Sequence, residues 1–372
     1  PNGESEKGKV GNHEYRGIAY NWRKMRNGKL QKDSYMPEIK EVIEEFNPDV
    51  IHLHGSEFQY VWFFTEALKE LGLLNRTVIS IQGMVSVYSR HYLDRLPGRI
   101  IHMRTVKELV TGGNISGGRK EFSKRGVIEE MALKNVRHII GRTSWDDACT
   151  YRLNPNAEYH ICRETLRESF YSGTWSAETC NRHSIFVSQA SYPIKGFHML
   201  LEGLRDIKKF FPEVTVRVAG GDLSKSTWIK GSTYAMYIMN SIKRYNLEKN
   251  VIFLGLLNEK QMKEEMLKCN VFISPSNIEN SPNSVGEAML LGVPVVSSDV
   301  GGVVDMMTHN VEGFAYPYNE PYMMAHYVMK IFRDDNLAAS LGASAKSKAS
   351  KTHDYQRNLK DLLDIYKLMM MS

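Results

Sequence analysis

Asn270 to Asp305 reads NVFISPSNIENSPNSVGEAMLLGVPVVSSDVGGVVD, and this run decides the fold. An apolar strand opens it, a polar loop and a short helix follow, and a second apolar strand leads into a Gly-Gly turn. Two strands joined through a helix run parallel, because the crossover carries the chain back to the starting edge. Both are rich in Val, Ile and Phe without alternation, the pattern of a sheet covered on both faces. The same grammar holds from about residue 183, where Ser184 to Val187, Thr215 to Ala219 and Val251 to Leu254 are further short apolar runs, each followed by enough chain for a helix. Between the first two, Gly196 to Phe211 sets Met199, Leu200, Leu204, Ile207 and Phe211 on one stripe and Arg205, Lys208 and Lys209 on another. The second half is expected to be an α/β, doubly wound parallel sheet.

The first half repeats this pattern less cleanly. A helix ends near Phe46, and a strand follows at Val50 to His54, a helix at Glu57 to Leu71, a strand at Val78 to Ile81 and a later strand at Arg137 to Ile140. Two Rossmann-like doubly wound domains facing across a cleft are therefore expected. Ser-Gly-Thr-Trp-Ser within Ser172 to Arg182 breaks the periodicity and marks the boundary. Residues 1–178 then form an N-terminal Rossmann-like domain and 179–350 a C-terminal Rossmann-like domain. Residues 351–372 form a terminal helix for which a return to the first domain is left open. Residues 1–33 are Gly, Lys and Asn-rich, with only Tyr15 to Trp22 resembling a strand. That is too little before Val50 for a complete doubly wound domain, so a truncated start is expected.

Composition narrows the class. The chain has 372 residues, 42% hydrophobic and 24% charged, enough for two cored domains. Its longest nearly apolar run, Ala288 to Val296, contains Gly292 and Pro294 and is too short to span a bilayer. The net charge of +6 is too thin an excess to imply nucleic acid. Four dispersed cysteines, Cys149, Cys162, Cys180 and Cys269, form no Cys-x-x-Cys pair, which fits a reduced, cytoplasmic protein. His160 and Cys162 share one face of an expected strand and read as packing, so no metal is expected. Gly3 to Lys9 imitates a P-loop, but Val10 stands where Ser or Thr must bind magnesium and no apolar strand precedes it. No G-x-G-x-x-G occurs, which disfavours a nicotinamide dehydrogenase.

The chemistry gathers in the opening segment. The loop Asn280-Ser281-Pro282-Asn283 delivers the chain to a helix expected to begin near Ser284. The free N–H groups and positive dipole end of such a helix suit a pyrophosphate. Gly286 and Ala288 are expected to allow close approach of a ligand. Glu279 and Glu287 bracket the loop with seven residues between them, Glu287 falling in the expected first helical turn. Ionised carboxylates only accept hydrogen bonds, which fits them to sugar hydroxyls and not to phosphate.

This pattern resembles the family 4 retaining glycosyltransferases of group 1, whose two-domain fold is called GT-B. The matching residues are Glu279, Glu287, Ala288, Gly292, Pro294, Val295, Val296, Gly301 and Gly302. Pro48 to His54, Val218 to Gly221, Phe253 to Gly255 and Lys195-Gly196 extend the likeness in the same order. The resemblance implies that Lys195 meets the diphosphate, Glu287 holds the ribose and Glu279 the donor sugar. It also implies that Leu256-Leu257 after Gly255 meets the base through the backbone. Two departures stand out. Ser188-Gln189 occupies the place of a common Gly-Arg, and Gln82-Gly83 follows Ile81 where a His-Asp pair is frequent.

The expected catalytic set is Glu279, Lys195, His54 and Gln82, and the expected nucleotide-binding set is Gln189, Gly255, Leu256, Leu257, Pro282, Asn283, Ser284, Val285 and Glu287. The resulting expectation is a glycosyltransferase moving a hexosyl group, with retention, from a UDP or GDP sugar to a glycan or lipid-linked acceptor, with no further cofactor. Bacterial surface polysaccharide synthesis is the setting the family implies. A non-catalytic nucleotide-sugar-binding subunit and an epimerase of the same fold stay open as alternatives. Arg95, Arg99, Arg104, Lys107, Arg119, Lys120, Lys124 and Arg125 form a basic stretch suited either to an anionic membrane on the inner face of the cell or to a solvated loop.

Overall fold

A computed structural model describes residues 5–21, 24–25 and 29–371. The chain separates into two compact units. Unit 1 takes residues up to Arg90, Lys120–Cys162 and Leu359 onward, and unit 2 takes His91–Arg119 and Arg163–Asn358.

Unit 1 opens with an antiparallel hairpin of β1 (Glu6–Val10) and β2 (His13–Gly17). The P-loop-like run is therefore mostly a strand and not a phosphate loop. Its Gly3 and Glu4, like Trp22 at the end of the expected strand, lie outside the described residues. A four-stranded parallel sheet follows, in the order β3 (Ile51–His54), β4 (Thr77–Ser80), β5 (His138–Gly141) and β6 (Glu158–Ile161). The helix Gln59–Glu70 is buried on more than one face, with Phe63, Ala67 and Leu68 in one apolar cluster and Val61 in another. Ile365 and Met369 of the final helix, Tyr355–Met371, pack with Val78 and Ile140.

Unit 2 carries a six-stranded, wholly parallel sheet. Its strands are β7 (Ser184–Val187), β8 (Thr215–Ala219), β9 (Val251–Gly255), β10 (Val271–Ser274), β11 (Val295–Ser298) and β12 (Phe314–Tyr316). Their spatial order is β9-β8-β7-β10-β11-β12. Winding runs outward from β7 in one direction and from β10 in the other. The strand order thus reverses between β7 and β10, the crevice where open α/β sheets bind ligands at their strand C-termini. The doubly wound expectation holds here, and β12 adds a strand that three residues of Phe-Ala-Tyr were too short to announce.

The basic stretch is not a loop. It folds into the helices Gly98–His102 and Val106–Thr111 and the start of Ile115–Asn135. Thr105 and Glu108 form a capping box, and Glu108 also accepts from the Thr233 backbone N–H at 2.9 Å, which fastens this excursion to the rest of unit 2.

Candidate functional site

Three loops leave the C-termini of β7, β10 and β11, and glycines press the first and the last against the second. Gly196 has φ +64°, and a Cβ there would lie 1.8 Å from the Pro275 carbonyl oxygen. Gly301 has φ +52°, and its Cβ would lie 1.9 Å from the carbonyl oxygen of Glu279. Only a residue without a side chain fits either place, for steric and conformational reasons at once. The Asn277 backbone N–H donates to the Ile194 carbonyl at 2.8 Å and completes the seam. The backbone thus sets the position of the charged side chains beside it.

Lys195 and Glu279 meet across that seam. The Lys195 Nζ donates to Glu279 Oε1 at 2.5 Å, and the Ser276 hydroxyl donates to the same oxygen at 2.7 Å. Burial works against the Lys195 ammonium, but Glu279 and Tyr192 outweigh it and hold its pKa above the ordinary lysine value. The cation is fully charged at neutral pH and stands at the switch point of the sheet.

The helix after the loop runs Asn283–Leu291 with Pro282 as its N-cap, and no side chain caps it. Asn283 is exposed and Ser284 half-buried, so the helix start faces solvent while residues 271–280 are buried. Val285 is fully buried and its N–H donates to the Pro282 carbonyl at 2.9 Å, so its contribution is to the core. Glu287 is the fifth residue of this helix and lies in its second turn, not the first, because the helix begins at Asn283. Gly286 and Ala288 do not line a ligand surface. A Cβ on Gly286 would meet His353 and Leu166 at 2.8 Å, and Ala288 is in the core.

Glu287 has a partner that sequence spacing missed. Arg167, 120 residues earlier, binds it in bidentate fashion, Nε to Oε1 at 2.6 Å and Nη2 to Oε2 at 2.7 Å. Burial pushes the Glu287 carboxyl above its usual range while the guanidinium pulls it back, and the carboxylate in turn holds Arg167 above its ordinary value. Phe170 lies under the guanidinium at 4.7 Å. Nothing in the local sequence of Arg167 signals this pairing.

The other expected residues fall as follows. Gln189 sits just beyond β7, and its Oε1 accepts from the Ala190 and Ser191 N–H groups and from the Ser191 hydroxyl. It shapes its own loop at the place where the resemblance led one to look for an arginine. Gly255 ends β9 with φ +75° and open space around it, Leu256 is 89% exposed, and Leu257 is half-buried. An aliphatic side chain so exposed at a strand C-terminus offers a platform and little stability. His54 and Gln82 belong to unit 1. His54 is exposed and stacks on His52 at 3.9 Å, and Gln82 Oε1 accepts from Arg142 Nη2 at 2.6 Å. Burial, and secondarily His54, lowers the His52 pKa to about 4, so that ring is neutral.

The sheet of unit 2 is of the doubly wound 3-2-1-4-5-6 type, with the Lys195–Glu279 pair and the start of the helix Asn283–Leu291 beside its switch point, the place where open α/β sheets hold ligands. Residues 178–348 match the family described as "Glycosyl transferases group 1". Solved structures give the fold as α/β of GT-B type. Sucrose-phosphate synthase from Thermosynechococcus elongatus superposes with a TM-score of 0.72 at 15% identity over 95% of this chain and 81% of that one. The Anabaena protein HepE in complex with UDP superposes with a TM-score of 0.65 at 16% identity, over 89% of this chain and 82% of that one. By sequence, the YtcC protein of Bacillus subtilis is 24% identical over 347 residues, 92% of this chain and 78% of that protein. Against several other curated relatives the chain spans about half their length.

Proposed function

We propose that the protein is a retaining hexosyltransferase that takes its sugar from a nucleoside diphosphate and passes it to a glycan or lipid-linked saccharide. The observation that carries this reading is the Lys195–Glu279 pair set beside the uncapped start of the helix Asn283–Leu291, at the β7/β10 switch point of a group 1 domain. The diphosphate lies against the N–H groups of Asn283 and Ser284, with the Lys195 ammonium on its other side. As the bond between the sugar and the diphosphate lengthens, negative charge grows on the departing oxygen, and the fixed positive groups stabilise it most at that moment. Glu279 accepts hydrogen bonds from donor-sugar hydroxyls and orients Lys195. Glu287 retains acceptor capacity beyond its two bonds to Arg167 and receives the ribose hydroxyls. Gly255 to Leu257 meets the base by backbone and aliphatic contact. UDP is the first candidate donor nucleotide, since HepE at TM-score 0.65 binds it.

The same reading gives His54 and Gln82 roles in turnover and keeps the donor domain within residues 179–350. It sets the enzyme in the cytoplasm. No helix among the described residues is long and apolar enough to cross a membrane. The exposed Val106, Leu109 and Val110 beside Arg104 and Lys107 suit peripheral contact with an anionic bilayer.

Calorimetry with UDP, GDP, ADP and their sugar conjugates tests the donor site. One nucleotide binds the parent chain in the micromolar range, and Glu287→Ala loses it. Lys195→Ala lowers kcat by about 10²–10³ with a smaller change in KM, as expected for a group that acts mainly on the transition state. Full turnover in Lys195→Ala, or equal nucleotide binding in Glu287→Ala, sinks the proposal. The anomeric configuration of the product, read by NMR, decides retention.

A further inference from the structure

Three side chains in unit 1 have no part in this chemistry, yet the sheet brings them together. In β5 and β6, which run parallel, His138 pairs with Glu158 and Ile140 with His160. Side chains alternate along a strand, so Glu158 and His160 share one face and His138 stands across from Glu158 on that face. His138 Nδ1 lies 3.1 Å from His160 Nε2 and 3.5 Å from Glu158 Oε2, and ligand atoms of all three fall within 4.8 Å of one another. Two ligands held at about 2.0–2.1 Å in a tetrahedron stand about 3.3 Å apart. We propose that His138, Glu158 and His160 form a site for one divalent transition ion of the zinc class, which ties the edge strand β6 to β5.

The donor set selects the ion. Two imidazole nitrogens and one carboxylate oxygen suit zinc, cobalt or nickel, and they are a poor match for magnesium or calcium, which take oxygen. His138 is fully buried and its Nε2 has no hydrogen-bond partner, so the ring is held through the Nδ1 that faces the cluster. Arg137 binds the far carboxylate oxygen, Nε to Glu158 Oε1 at 2.8 Å, which orients Oε2 toward the histidines at some electrostatic cost to the cation. A fourth position remains for water. The cluster joins β5 to the edge strand β6 of unit 1, so the ion acts as a fastener of that sheet.

The test uses a tag-free chain, stripped with a chelator and titrated with zinc by calorimetry and with cobalt by visible absorption. The parent binds one equivalent in the micromolar range or tighter, cobalt gives the intense ligand-field bands of a four-coordinate site, and zinc raises the unfolding temperature. Glu158→Gln and His160→Ala, both at partly exposed positions that the fold tolerates, each weaken zinc by about tenfold or more and lose the cobalt bands. Donor binding by unit 2 is unchanged in both variants. Absence of a cobalt spectrum in the parent, or zinc affinity equal in parent and variants, overturns the proposal.

Discussion

The two units bury charge in opposite ways. In unit 2 two ion pairs join distant chain segments, Lys195 with Glu279 and Arg167 with Glu287. In unit 1 a core carboxyl is held by a hydroxyl and two backbone N–H groups. Glu129 is wholly buried and accepts from the Ser56 hydroxyl at 2.9 Å and from the Val85 and Ser86 N–H groups at 3.2 and 2.9 Å. Burial outweighs these donors and pushes its pKa up to about 7. Paired charges are poised for a ligand, whereas a hydrogen-bonded core carboxyl serves to hold the start of the helix Val85–His91. The contrast separates a site that uses charge from one that shelters it.

Breaking the backbone frame in unit 2 has the largest effect. Gly196→Ala places a Cβ against the Pro275 carbonyl in a left-handed conformation, and the two penalties together destabilise the unit by about 4 kcal/mol. Chemical denaturation of parent and variant measures it, and a loss below about 1 kcal/mol would show that the two loops separate easily.

Acidity sharpens the comparison from the unit 1 side. The folded Glu129 pKa of about 7 stands above the 4.5 of an unburied carboxyl, so between these values the folded chain keeps a proton that the unfolded chain has lost. This contribution to stability is fully present below about pH 4.5 and is lost as the pH rises through 7. Unfolding followed at pH 5 and pH 8 shows the parent losing up to about 3 kcal/mol across that window. Glu129→Gln flattens the profile, and an unchanged profile in that variant would assign the pH dependence elsewhere.

The smallest of these effects comes from removing one member of a pair in unit 2. Arg167→Ala leaves Glu287 buried without its cation, at about 2 kcal/mol, a figure held down by the partial exposure of the arginine. The same variant changes nucleotide affinity, because Glu287 is then protonated or reoriented. Calorimetric stability and nucleotide titration on one sample check both. Stability lost with affinity intact would make Arg167 a purely structural partner.

Much of unit 2 was legible from residue order, and the reasons are local. Short Val/Ile/Phe runs at crossover spacing specify parallel strands, and β7 to β11 lie where those runs lie. Lys195-Gly196 and Gly301-Gly302, quoted from the sequence only for the family resemblance, carry the two positive-φ glycines of the loop contacts, Gly196 and Gly301. Unit 1 was less legible. The hairpin β1–β2 lies in a stretch whose composition suggested almost no structure, and the helices between Gly98 and Asn135 were masked by Gly pairs and clustered charge. The helical start at Asn283 put Glu287 one residue further along the helix than expected, since Pro282 serves as N-cap and the helix begins directly after it.

Residue order alone determined the period of each apolar run and the order of loop, helix and strand from Asn270 to Asp305, because these depend on neighbours within a few positions. Tertiary structure decided which distant side chains meet. Arg167 reached Glu287, and His138 came to lie beside His160, only once crossovers had set strands in register and packed loops over their ends. Side-chain chemistry is written at each position, but the few ångströms that turn it into a pair or a cluster arise when the sheet closes distances that the chain leaves open.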